Sequence, residues 1–448
     1  MELENKRVLV VGLGASGLSA ARLLHRKRAR VVLNDVRDAG AIAGLDEAAK
    51  ETGAELVLGS HPESLFTSVD LVVVSPGVPP LPAIRAAEAA GIPVISEIEL
   101  ASRFVFGRIA AITGTNGKST VTTLLGEMAK RSGVPTFVGG NLGTPFADAP
   151  GSLAADAGFS VLELSSFQLE RVDRFRAHVA VLLNVTDDHL DRYEDFGAYA
   201  AAKGNIFRGQ TSEDFAVVPA GDALCLSLAR AGKASVLTFG EGGDACVEDG
   251  ALVDRESGAR VSLDELHIVG AHNYANACAA MLAARALGIS RETIEETLRE
   301  FRGLRHRMER VGVVSGVTFI DDSKATNVGA AVAALAGLEH EPGSIVLIAG
   351  GRDKGGSYEP LRAPLAKKGR ALVTLGEAAE IVERELGDVV PTRRVRDMDE
   401  AVRAAMGFAE VGDIVLLSPA CSSLDMYRSY AERGDHFARA ARALEEEG

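Results

Sequence analysis

The sequence predicts an α/β protein built from three sheet-forming units in series, on three observations. The apolar run Arg7-Val-Leu-Val-Val11 leads straight into Gly12-x-Gly14-x-x-Gly17 and a helical stretch, followed by a second strand ending at Asp35. A second apolar run, Ile109-Ala-Ala-Ile112, leads into Gly114-Thr-Asn-Gly-Lys-Ser119 and another helical stretch. Beyond Gly303 a fresh set of apolar strands alternates with helical segments. The expected organisation is a Rossmann-like N-terminal domain over 1–97, a central P-loop ATPase-like α/β domain over 98–303, and a C-terminal Rossmann-like α/β domain over 304–448. A chain of 448 residues is also long for one hydrophobic core.

The first unit carries a nucleotide fingerprint. Its glycines allow a tight turn and close approach of a diphosphate, and Asp35 stands near the spacing of a ribose or base contact. The same pattern serves a tight βα turn without ligand, and local sequence leaves NAD and UDP equally open. Leu71-Val-Val-Val-Ser-Pro-Gly77 is a buried strand ending in a turn, and Ile92-Pro-Val-Ile95 closes the unit.

The second unit opens on a phosphate cradle. Gly114, Asn116 and Gly117 tolerate unusual backbone angles, and Lys118, Ser119 and Thr120 begin a helix whose N–H groups and dipole favour an anion. Lys118 supplies a charge and Ser119 a hydroxyl suited to magnesium. The standard P-loop pattern needs glycine where Ile112 stands, so the motif is a shortened one. Val138-Gly-Gly-Asn-Leu-Gly-Thr144 is a second Gly-rich loop. Two further strands end in Glu163 and in Asp187-Asp-His-Leu-Asp191. Taken alone, such residues are ordinary polar strand ends, but beside a phosphate loop oxygen ligands with one imidazole suit magnesium better than zinc. Lys203 lies on an Ala-rich helix where a solvated lysine is the default. Residues 211–266 read as short strands and turns without chemistry. Asn273 sits at a helix start, where an N-cap role is a sufficient explanation.

The third unit begins with the basic segment Phe301-Arg-Gly-Leu-Arg-His-Arg-Met-Glu309. Its strands end in Asp321-Asp-Ser-Lys-Ala-Thr-Asn327, in Gly350-Gly-Arg-Asp-Lys354 and in Ser418-Pro-Ala-Cys-Ser-Ser423.

Composition narrows the function classes. A net charge of −14 argues against non-specific nucleic-acid binding, which needs a basic face. The four cysteines show no CxxC spacing and read as reduced thiols. Neither a signal peptide nor an apolar run of membrane-spanning length is present, so a cytoplasmic location is expected.

In combination, the shortened phosphate loop, the His189 strand end, His272-Asn273, the Arg307 segment and Asp322-Ser-Lys-Ala-Thr-Asn327 resemble the Mur ligases along essentially the whole chain. The Rossmann-like start and the tail Leu417-Ser-Pro-Ala-Cys-Ser-Ser-Leu-Asp-Met-Tyr427 look most like the branch that adds D-glutamate, and the Asp-Asn-Pro-Arg motif of the diaminopimelate-adding branch is absent. The resemblance implies an ATP-dependent amide-forming ligase that works on UDP-N-acetylmuramoyl-L-alanine, as a monomer, with ATP and two magnesium ions. It implies acceptor contacts at Ala15, Ser16, Asp35, Arg37, Ser75, Pro76, Gly77, Asn141, Ser165 and Gln168. It places Gly114, Thr115, Asn116, Gly117, Lys118, Ser119 and Thr120 on ATP phosphates, and Asn273, Arg307, Asp322 and Lys324 around ATP. Ser119 and Glu163 would share one magnesium, and His189 and a carbamylated Lys203 a second. Thr326, Lys354, Ser423, Leu424 and Tyr430 would form the amino-acid pocket, Tyr430 standing where the family often has Phe. A nucleotide-binding regulator that had kept these loops, or a sister or folylpolyglutamate-type ligase, would share much of this pattern.

Overall fold

The structure is a computed structural model that describes residues 1–188, 192–338, 343–353 and 355–447. It contains three sheets, each built on the apolar runs seen in the sequence. The first joins β1 (Arg7–Val11), β2 (Arg30–Asp35), β3 (Glu55–Leu58), β4 (Leu71–Val74) and β5 (Val94–Ser96) in the order β3-β2-β1-β4-β5. All its pairs are parallel, which is the doubly wound arrangement, and the chain reverses its direction of travel across the sheet between β1 and β4. Alternate residues of β1 serve opposite faces: Val8 and Val10 pack with helix Ala15–Arg26, and Leu9 and Val11 pack with Phe66 and Ile84.

The second sheet has nine strands: β6 (Arg108–Thr113), β7 (Thr136–Gly140), β8 (Phe159–Glu163), β9 (Val179–Leu182), β10 (Phe215–Pro219), β11 (Ser235–Phe239), β12 (Ala245–Glu248), β13 (Ala251–Asp254) and β14 (Arg260–Ser262). Their order is β14-β13-β12-β11-β10-β9-β6-β8-β7. Pairing is parallel from β7 across to β12 and antiparallel through β13 and β14, so residues 211–266 extend the sheet. Central β6 is buried along Ile109–Thr113 because neighbours cover both faces, which explains its continuous apolar run.

The third sheet joins β15 (Glu309–Val314), β16 (Val317–Asp321), β17 (Ile345–Gly350), β18 (Gly369–Leu375), β19 (Thr392–Arg394) and β20 (Ile414–Leu417) in the order β15-β16-β20-β17-β18-β19. It is parallel except for the β15–β16 hairpin. Ser315 and Gly316 turn that hairpin with φ of 48° and 80°, the left-handed pair that matches strand twist. Strands alternating with helices lead one to expect a parallel sheet, and this one edge departs from it.

The chain forms two compact units. One holds Met1–Leu263 with Asn276–Leu298, and therefore the first two sheets; the other holds Asp264–Ala275 with Arg299–Gly448. All four cysteines are free and buried. No helix among the described residues is long and apolar enough to cross a membrane.

Candidate active site

The fingerprint of the first sheet is shaped by steric need. Gly12 has φ of 83°, and a Cβ on Gly17 would stand 2.0 Å from the Gly12 carbonyl oxygen. Gly14, by contrast, has nothing within 4 Å of the position of a Cβ, so the loop is open at that point. This is the division of labour a diphosphate loop requires: outer glycines for the turn and helix packing, a middle one for ligand approach. Ser75, at the end of β4, donates to the Gly12 carbonyl at 2.6 Å and ties the two strand ends together. Asp35 accepts from the Leu13 N–H at 2.8 Å and from the Arg37 guanidinium at 2.8 and 2.9 Å. The Arg37 hydrogen bond holds the Asp35 carboxyl well below the usual carboxylate range. Arg192 donates to the Pro76 carbonyl at 3.2 Å and stacks over Phe167, so a residue of the second sheet's own domain closes on the first strand-end turn.

Around the phosphate loop the structure assembles what the sequence scattered. Ile112, at the place of the missing P-loop glycine, is fully buried inside β6, so the turn proper begins at Gly114. A Cβ on Gly117 would lie 2.4 Å from Asn276 Oδ1, and its φ of 87° sets up the start of helix Lys118–Arg131. Asn184, just beyond β9, accepts from the Asn116 N–H at 2.9 Å and donates to its carbonyl at 3.1 Å. Thr115 Oγ1 accepts from the Thr186 N–H at 3.0 Å and lies 3.1 Å from the Tyr199 hydroxyl. Two loops are thereby fixed as one cradle.

Two lysines converge on this cradle. Lys118 Nζ donates to the carbonyls of Gly114 and Thr115, both at 2.8 Å. Lys203 Nζ reaches the same Gly114 carbonyl at 2.9 Å. The default of a solvated Lys203 is overturned, since the residue is 2% exposed and its ammonium lies over the Tyr199 ring. Burial, followed by repulsion from Lys118, pushes the Lys203 ammonium down to about 7. Lys118 keeps a positive charge in this poorly solvated loop, which favours an anion there, and the same surroundings leave Lys203 readily neutral.

Glu163 closes β8 in register with Ile112. Its Oε1 accepts from Asn141 Nδ2 at 2.7 Å, and its carbonyl accepts from the Asn141 N–H at 2.8 Å, so the second Gly-rich loop is strapped to this strand end. Glu163 Oε2 is buried without a hydrogen-bond partner among the described residues. An orphaned carboxylate oxygen beside a phosphate loop, with the buried Ser119 hydroxyl at the helix start, is a donor set that fits a hard divalent cation such as magnesium. His189 lies outside the described residues. Ser165 and Gln168 form a capping box on the short helix Ser166–Leu169, with Gln168 buried.

The second unit holds its own cluster. Asn273 lies in the first turn of helix Ala271–Leu287, where its amide donates to the Val269 carbonyl at 2.9 Å; it is not the N-cap, which falls at Gly270 before the helix. Arg307 is half-buried and flanked by His306 and Met308 at φ of 63° and 51°, a strained bend. His306 is held by Asp321 at 2.7 Å, and that bond raises its pKa. Asp322 accepts from Ser418 Oγ at 2.9 Å, and burial pushes its carboxyl up to about 7. Lys324 lies over the Tyr430 ring at 4.1 Å, Ser423 is buried, and Leu424 is 55% exposed. Thr326 is half-buried next to them, and Lys354 lies outside the described residues.

Sequence reasoning missed Asn184, Thr186, Tyr199, Asn276 and Arg192. Asn184 alone carried a signal, as the polar residue directly after an apolar strand; the others act through contacts between distant segments.

A nucleotide fingerprint, a magnesium-fitted phosphate cradle and a third sheet with a basic entry define an ATP-using enzyme of three domains. Three family descriptions match the chain in order: the Mur ligase MurD-like N-terminal domain over 6–96, the Mur ligase middle domain over 112–284, and the Mur ligase glutamate ligase domain over 306–421. The chain belongs to the Mur ligase family. It is 45% identical to the UDP-N-acetylmuramoylalanine–D-glutamate ligase of Trichlorobacter lovleyi, covering 99% of this chain and 100% of that one. It is 46% identical to the ligase of the same name from Anaeromyxobacter dehalogenans, covering 98% of each. Among solved structures, MurF from Acinetobacter baumannii shares the fold at a TM-score of 0.62 and 18% identity, covering 98% of this chain and 91% of that one. UDP-N-acetylmuramate-alanine ligase MurC from Thermotoga maritima does so at a TM-score of 0.58 and 19% identity, covering 98% and 100%.

Proposed function

We propose that this protein is an ATP-dependent ligase that joins D-glutamate to UDP-N-acetylmuramoyl-L-alanine in peptidoglycan precursor synthesis. The observation that carries the reading is the end-to-end likeness to ligases of that name at about 45% identity. Lys118 and the buried, depressed-pKa Lys203 at one loop carbonyl support it, the first as a cation for phosphate and the second as an amine able to be modified.

In this reading the carboxylate of the acceptor attacks the γ-phosphorus of ATP, the bond to ADP breaks, and an acyl phosphate forms. The amine of D-glutamate then attacks the acyl carbon, phosphate leaves, and the amine proton is lost to give an amide. Two anions must meet in the first step, and Lys118 with the helix N–H groups offsets their repulsion. Magnesium, when bound, supplies further charge neutralisation on the transferring phosphoryl group. Ser119 and Glu163 are the residues to hold one ion, and His189 and Lys203 the second. A plain ammonium repels a cation, so Lys203 acts there as a carbamate. Its depressed pKa supports this, because only the neutral amine adds to CO2, forming an N–C bond and releasing a proton.

Residues 1–97 bind the UDP-sugar, with Gly12–Gly17, Asp35, Arg37 and Ser75–Gly77 facing it, and Asn141, Ser165 and Gln168 of the central domain add contacts to the acceptor. Residues 98–303 bind ATP, and Asn273, Arg307, Asp322 and Lys324 are further candidates for contacts to the nucleotide. Residues 304–448 take the amino acid, with Thr326, Lys354, Ser423 and the N–H groups near Leu424 presenting donors and a cation to two carboxylates. The enzyme works as a monomer in the cytosol. The test is a product assay with UDP-N-acetylmuramoyl-L-alanine, ATP and a panel of amino acids. Amide formation with D-glutamate, little with L-glutamate and none with D-alanine or meso-diaminopimelate is expected. A better rate with meso-diaminopimelate or L-alanine would overturn the substrate assignment.

A further inference from the structure

The long C-terminal helix Tyr430–Glu447 sends one side chain back beneath the third sheet's strand ends. Arg433 is 2% exposed. Its Nε donates to Ser323 Oγ at 2.9 Å, and its Nη2 to the carbonyls of Ser323 at 2.9 Å and Cys421 at 3.1 Å. Its Nη1 points to the Gly350 carbonyl at 3.5 Å, and a Cβ on Gly351 would come within 3.1 Å of that nitrogen. Ser323 and Cys421 lie just beyond β16 and β20 and Gly350 ends β17, three strands that are neighbours in the sheet. Ser323 Oγ also donates to the Tyr430 carbonyl at 2.8 Å, which returns the bond to the start of the helix.

The three loops so joined carry Asp322, Lys324 and Thr326, then Ser423 and Leu424, then Lys354. A planar guanidinium reaches several acceptors at once in fixed directions, and a lysine does not. Its acceptors here are carbonyls and a hydroxyl; among the described residues no carboxylate lies within ion-pair distance. Asp425 and Asp321 favour the charge only at longer range, and a buried cation without a direct ion pair is costly to the fold, so an apolar residue would fill the same space more cheaply. The cost is intelligible if the charge serves an anionic ligand bound above it. Burial lowers the Arg433 pKa to about 10, which leaves it charged at neutral pH.

We propose that Arg433 is a positioning residue of the amino-acid site: it holds the three strand-end loops in register and places a buried positive charge beneath them that favours an amino acid bearing a second carboxylate. The inference rests on the assignment of these loops to the amino-acid pocket.

Steady-state kinetics of Arg433→Lys and Arg433→Met test it, with thermal melting alongside. Both variants raise KM for the amino acid, about tenfold for Lys, which keeps the charge but loses the fork, and about a hundredfold for Met. KM for ATP stays within twofold. An amino-acid KM within twofold of wild type in the Lys variant, whatever its melting temperature, overturns the proposal. So does a parallel rise in both KM values, which marks general disruption of the sheet. If Arg433→Met does not fold, Arg433→Lys decides alone. Kinetics use whichever amino acid the wild-type enzyme accepts, so a wrong substrate assignment appears in the wild type and a wrong role for Arg433 appears only in the variants.

Discussion

Replacing Lys203 with Met should stabilise the protein while abolishing its activity. The Lys203 ammonium is lowered from 10.5 to about 7 by burial and by Lys118. A basic group with a depressed folded pKa binds fewer protons in the native state than in the unfolded chain between those two values. Stability therefore rises with pH across that window, and the full penalty applies below pH 7. At 1.36 kcal/mol per unit, a shift of about 3.5 units is a penalty of order 5 kcal/mol at low pH. At pH 7 it is about 4 kcal/mol, and at pH 9 about 2. Arg- and Lys-to-Met changes also lose packing and polar contacts; here the bond to the Gly114 carbonyl goes, worth about 1–3 kcal/mol for a charged donor. The net expectation is a Lys203→Met variant more stable than wild type by about 1–3 kcal/mol at pH 7. The assay is urea unfolding of both proteins from pH 7 to 9 in CO2-depleted buffer, which keeps the wild-type amine unmodified. The stability gap should close by about 2 kcal/mol over that range. A variant less stable than wild type at pH 7, with a gap independent of pH, would refute the reasoning. The same depression raises the neutral amine at pH 7 from about one in three thousand to about half, so added bicarbonate should raise wild-type activity and leave the variant inactive.

Three other outcomes follow from the geometry. Lys118→Ala removes the charge at the proposed phosphate loop and leaves its backbone, so phosphate release from ATP should be lost while circular dichroism and melting stay near wild type; near-normal turnover would sink the phosphate-loop assignment. Gly17→Ala forces a Cβ to within 2.0 Å of the Gly12 carbonyl and should cost about 1–3 kcal/mol in chemical unfolding, whereas Gly14→Ala meets open space and should fold normally but raise KM for the UDP-sugar alone. Asp322 has a folded pKa raised from 3.8 to about 7, so its burial penalty grows as pH rises through that window; Asp322→Asn should flatten the fall in stability between pH 4 and 7, measured by urea unfolding, and an unchanged slope would count against it.

The sequence alone determined the local chemistry of this protein. Apolar runs ending in glycine announced β1 and β6, because a buried parallel strand must be apolar throughout and a phosphate loop must bend where side chains interfere. Asp322 and Lys324 were legible as polar residues directly after an apolar strand, whereas Ser423 was named only through the family resemblance. Tertiary structure decided what depends on distant segments meeting. Lys203 reads as solvated on its Ala-rich helix, and only packing against the loop at Gly114 and Tyr199 buries it and depresses its pKa. Asn184 becomes the brace of the phosphate loop through pairing of β9 with β6. The β15–β16 hairpin runs antiparallel at an edge that strand periodicity cannot orient. Arg433 lies on a helix of mixed charge, where an arginine reads as solvent-facing; its role exists only because three strand ends, far apart in sequence, arrive at one guanidinium.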